Sequence, residues 1–71
     1  MTIPITRRPA LDNEDLTLLR LIAEGLPIES VARRVDMSER TVRRRTRAIC
    51  DRLGVPAPIS AVVWAVRHGL L

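Results

Sequence analysis

Eight arginines fall between residues 33 and 52 against three acids, Asp36, Glu39 and Asp51, a local balance of +5. A guanidinium stays charged at neutral pH, and its donors form a planar fork that fits phosphate oxygens and the O6/N7 edge of guanine. The chemistry within reach of such a cluster is recognition of a polyanion. The preceding stretch, 9–32, is of opposite sign: Asp12, Glu14, Asp15, Glu24 and Glu29 against Arg20, a balance of −4. A GC-rich genome would account for arginine replacing lysine throughout, but not for the clustering, so we read a cationic face on an acidic scaffold. Bond-making chemistry has no foothold. There is no paired-carboxylate motif, nucleophile elbow or phosphate-cradling glycine loop. With a single cysteine, Cys50, and a single histidine, His68, no internal disulfide and no zinc cluster can be composed. We expect a non-enzyme with no cofactor and no metal.

These arginines need a scaffold, and 71 residues allow one small domain. Its core has to be aliphatic, since Trp64 is the sole aromatic residue. No apolar run approaches the ~20 residues of a membrane span and the first residues lack a secretory pattern, so a cytoplasmic protein without membrane contact is expected. Period-two alternation is absent, and four segments show helical spacing between Gly and Pro punctuation, which predicts an all-α domain. Asp12 caps a first helix over about 13 to 24, with Asp15 three residues on and Gly25 beyond its end. Its expected apolar arc is Leu16, Leu18, Leu19, Ile22 and Ala23. Pro27 opens a second helix to about Arg34, a turn follows at Asp36, and Ser38 caps a third helix over about 39 to 53, stopped by Gly54. Pro58 starts a fourth helix that runs to about His68.

A short helix, a tight turn and a longer helix have the spacing of a helix-turn-helix, whose second helix enters the major groove of DNA. On a wheel of about 100° per residue, Val42, Thr46, Ile49 and Leu53 form one core-facing stripe. Arg40, Arg43, Arg44 and Arg47 occupy the opposite face, and Arg45 and Arg52 flank the stripe on its other side. In the fourth helix Ile59, Val62, Val63 and Val66 form one apolar stripe, and Ala61, Trp64 and Ala65 a second about 150° away. We expect the first to cover the core. The second, with His68 at the helix end, is then the interface of a homodimer.

The strings Leu-Arg-Leu-Ile-Ala-Glu-Gly-Leu (19–26), Val-Ala-Arg-Arg-Val (31–35), Met-Ser-Glu-Arg-Thr-Val-Arg (37–43), Leu-Gly-Val (53–55) and Arg-His-Gly-Leu-Leu (67–71) together resemble the LuxR/GerE-type helix-turn-helix. The resemblance covers 11–71 and leaves 1–10, with Arg7 and Arg8, as an arm or linker. It implies a four-helix bacterial transcription-regulator domain that reads double-stranded DNA with its third helix and forms a two-fold dimer through its fourth. On that reading Arg43, Arg44 and Arg47 are the base-reading candidates. Ser38, Arg40, Thr41, Arg45 and Arg34 are the phosphate candidates, and RNA polymerase is a candidate partner. Asp36 departs from the family by standing where a turn glycine is common; Pro27 and Ala57 replace the serines that usually cap helices two and four. Two other classes remain open at this point. One is an arginine-rich RNA-binding helical module. The other is a protein-interaction helix-turn-helix resembling the promoter-reading domain of sigma factors.

Overall fold

A computed structural model of the chain describes residues 11–71. Four helices follow one another: α1 (Asn13–Ala23), α2 (Ile28–Val35), α3 (Glu39–Leu53) and α4 (Pro58–Arg67). No strand occurs among the described residues, and no single helix is long and apolar enough to cross a membrane. The basic arm expected over 1–10 lies outside the described residues.

Local chemistry explains where each helix begins and ends. Asp12 and Asp15 form a reciprocal capping box: the Asp15 N–H donates to Asp12 Oδ1 at 2.9 Å, and the Asp12 N–H to Asp15 Oδ2 at 3.2 Å. Two of the N–H groups that every helix start leaves unpaired are thereby satisfied. Ser38 caps α3 by accepting the Thr41 N–H at 3.0 Å. The starts of α2 and α4, at Pro27 and Ala57, have no side-chain cap, as their residue types dictate. Helices α2 and α3 both close on a left-handed residue. At Gly54 (φ +72°) that conformation is free of strain, whereas Asp36 adopts φ +56° with a Cβ in place, at a cost of about 1 kcal/mol. The turn is held because the Met37 N–H reaches the Ala32 carbonyl at 3.0 Å and the Asp36 N–H that of Arg33 at 3.3 Å.

Leu18, Leu19, Val31, Val42 and Ile49 are fully buried and form the centre of the core, around which all four helices pack. On α3 the expected stripe holds: Val42, Thr46 and Ile49 are buried and Leu53 packs against the core. Thr46 tolerates that position because its hydroxyl donates to the Val42 carbonyl at 2.7 Å. The arc of α1 is wider than expected and turned slightly. Leu21 is buried and Ala23 exposed, since α2, α3 and α4 all pack against this helix and cover both flanks of its stripe.

The orientation of α4 corrects the sequence reading. Ala61 and Ala65, expected in an interface, are 0% exposed within the chain's own core, while Ile59, Val63 and Val66 are 61, 43 and 54% exposed. Of the stripe expected to cover the core, only Val62 is buried. Small side chains let two helix backbones approach closely, so α4 lays its two alanines against α1 and α3 and turns its larger β-branched residues outward. Trp64, also expected outward, is half-buried against the core edge, and His68 is exposed beside it.

Candidate nucleic-acid interface

The helix-turn-helix is formed by α2, the turn at Asp36, Met37 and Ser38, and α3. With Val42, Thr46 and Ile49 fixed in the core, helical geometry turns the opposite side of α3 to solvent, and Arg40, Arg43, Arg44 and Arg47 are all exposed there. The structure therefore brings the three base-reading candidates and Arg40 onto one face.

Ion pairing sorts the eight arginines into two groups. Arg45 Nη1 donates to Glu14 Oε1 of α1, and Arg52 Nη1 donates to Asp15 Oδ2 at 2.8 Å. Both arginines lie on the flank of α3 that packs against α1. Arg45, a phosphate candidate, pairs its guanidinium with Glu14 of the scaffold. Arg43 approaches Glu39, one turn earlier, at 3.6 Å. Arg33, Arg34, Arg40, Arg44 and Arg47 have no ion pair among the described residues. Five unpaired guanidinium groups on the two helices of one motif repel each other, and an array of phosphates relieves that repulsion.

Ser38 and Thr41 sit at the leading end of α3. Beyond capping the helix, the Ser38 hydroxyl donates to Thr41 Oγ1 at 2.9 Å, so the two hydroxyls are held together. Arg34, at the end of α2, lines a shallow cleft beside Glu14 and Thr17 of α1. A wider groove of about 610 Å³ runs along the other flank of α3, where Arg43 and Arg47 face Ile28 at the start of α2 and Pro58 at the start of α4. Asp51 also lines that groove.

Away from this face two groups have altered environments. Burial, with the nearby Asp51 charge, pushes the Cys50 thiol up from its ordinary value, so it stays protonated at neutral pH. The hydrogen bond from the Asp15 backbone N–H holds the Asp12 carboxyl below the usual carboxylate range. At the end of α4 the Trp64 and His68 rings stack with centroids 3.8 Å apart and planes inclined by 16°. The His68 Nδ1 lies 2.8 Å from the Trp64 carbonyl oxygen.

Comparison with known proteins agrees with this architecture. A model described as a homeodomain-like domain matches residues 16–48, which span most of α1, all of α2 and two thirds of α3. The nitrate/nitrite response regulator protein NarL of Escherichia coli K12 is 36% identical over 47 residues, 66% of this chain. The transcriptional regulatory protein YdfI of Bacillus subtilis strain 168 is 34% identical over 61 residues, 86% of this chain. This is a LuxR-type helix-turn-helix domain. The aligned stretches are 22 and 29% of NarL and YdfI, so the LuxR-type domain spans less than a third of the length of these curated relatives. No solved structure matches the chain significantly.

Within this LuxR-type domain, sequence reasoning missed the outward stripe of α4, Ile59, Val63 and Val66. The signal was present in the two alanines four residues apart, a spacing suited to close helix contact. It also missed that Glu14 and Asp15 are the partners of Arg45 and Arg52, although the acidic balance of α1 and the flanking position of these arginines pointed to it.

Proposed function

We propose that this domain binds double-stranded DNA in a sequence-specific manner and regulates transcription, with α3 in the major groove and two copies joined through α4. The exposed cationic face of α3 carries this reading. It stands on the second helix of a helix-turn-helix, the element whose N-terminal residues reach base edges when the motif docks. Arg43, Arg44 and Arg47 read bases, where a bidentate guanidinium discriminates guanine by roughly 1–3 kcal/mol. Arg40, Arg34 and the Ser38–Thr41 pair fix the phosphate backbone. Arg45 stays with Glu14 and has a structural role. The similarity to NarL and YdfI, whose names describe a response regulator and a transcriptional regulatory protein, supports the regulatory part of the reading.

The outward face of α4 supports the dimer. Ile59, Val63 and Val66 lie in one narrow arc of a chain with a net charge of +4, and an apolar stripe of that kind favours a like surface over water. A second copy is the occupant that also gives the reading helix a purpose, because two copies related by a two-fold axis place two α3 helices about one DNA turn apart.

Selection of bound duplexes from a random-sequence pool tests this. Enrichment of an inverted repeat with guanine-containing half-sites centred about 10 base pairs apart is expected. A pool that remains unenriched while the protein is folded would reject the reading.

A further inference from the structure

The leading end of α3 carries a carboxylate among its arginines. Glu39 is the first residue of the helix, its side chain is 48% exposed, and its Oε1 lies 3.6 Å from Nη2 of Arg43. An acid at a helix start is favourable for the dipole, but Ser38 already caps this end through the Thr41 N–H. In a groove lined by phosphates the same carboxylate is repelled by every duplex, whatever its sequence. It also draws the Arg43 guanidinium toward itself, so a phosphate contact by Arg43 competes with an existing ion partner. A base pair offers a different outcome. The major-groove edge of a G·C pair presents guanine O6 and N7 as acceptors beside a cytosine N4 donor, which satisfies an arginine and a carboxylate together.

We propose that Glu39 is a specificity-determining residue: it weakens binding by phosphate contact alone and accepts a hydrogen bond from a cytosine N4 amino group while Arg43 donates to guanine. The proposal rests on the duplex-DNA reading above and adds a discriminating role to a residue outside the arginine set. Glutamine in its place keeps the size and loses the charge.

The test compares the wild-type chain with Glu39→Gln on two probes, a random-sequence 30-base-pair duplex pool and the best duplex selected by the wild type. The random pool should be bound about fivefold or more tightly by the variant, with no gain or a loss on the selected duplex, so that the specificity ratio falls by at least that factor. Selection repeated with the variant should lose cytosine preference at one position per half-site. Equal tightening on both probes would reduce Glu39 to a bulk charge and overturn the proposal, as would unchanged affinities or a retained cytosine preference. Glu39→Ala serves as a second variant, with circular dichroism reporting the fold of each. A folded wild type that binds no duplex would remove the DNA reading and this proposal with it; a wild type that binds selectively beside an unaltered variant removes this proposal alone.

Discussion

Each arginine of the cationic cluster is defined by what its guanidinium touches. Arg45 and Arg52 are bonded to Glu14 and Asp15 of α1, Arg43 leans on Glu39, and Arg40, Arg44 and Arg47 have no ion pair among the described residues. A wheel drawn from the sequence already separated Arg45 and Arg52 from the other four, because the angle between side chains on a helix is fixed by the backbone. It could not show which acids would meet the flank arginines, since that depends on how α1 crosses α3. The proposed division between base readers and phosphate binders has a direct consequence at this scale. Replacing Arg44 with alanine should relax preference at one position per half-site, by roughly 1–3 kcal/mol between the right and wrong base. Replacing Thr41 should weaken all duplexes about equally. Binding of wild type and both variants to single-base variants of a selected site measures this, and two identical profiles would erase the distinction.

Helix ends were the most legible feature of the sequence. Asp12, Gly25, Ser38, Gly54 and Pro58 punctuate the chain, and all four helices begin and end within about two residues of the positions these residues imply. The capping box at the start of α1 adds a pH dependence. Because the Asp12 carboxyl titrates below its ordinary value when folded, its contribution to stability is full above the unfolded value and is lost as pH falls through the folded one. Thermal unfolding of the wild type should therefore weaken more steeply as pH falls below about 4 than that of Asp12→Asn, which still caps but cannot titrate. Equal slopes would show that the cap is not electrostatically coupled.

The face of α4 was less legible than its ends. Hydrophobicity alone places large aliphatic residues inward, yet here Ala61 and Ala65 are buried beside Val62 while Val63 and Val66 face out. Close approach of two backbones is a tertiary requirement that composition does not carry. Val66→Glu should consequently dissociate the proposed dimer and leave the helical content of the monomer intact, because the core does not use that side chain. The same charge at Ala61 should unfold the domain, since an unpaired carboxylate there would be buried. Sedimentation and circular dichroism on the two variants distinguish these outcomes, and a Val66→Glu dimer of unchanged stability would move the interface elsewhere.

At the scale of the whole molecule, an acidic first helix fastens one flank of an arginine-rich helix and leaves the opposite face open. The Val42, Thr46 and Ile49 stripe fixes the rotation of α3 and the Ser38 cap fixes its start, so the open face is set by the fold rather than by flexible side chains. That architecture was readable because core stripe and cationic face lie on one helix. The central claim is that this face meets DNA phosphates and bases together. The affinity of the wild-type chain for a selected duplex, measured from about 50 to 200 mM salt, tests it most directly. Two copies that each engage about four phosphates should give a slope of log affinity against log salt near −7, reduced by about 3 to 4 units when Arg34 and Arg40, the arginines assigned to phosphates, are replaced together. A flat salt response, or a slope unchanged by the double replacement, would contradict it.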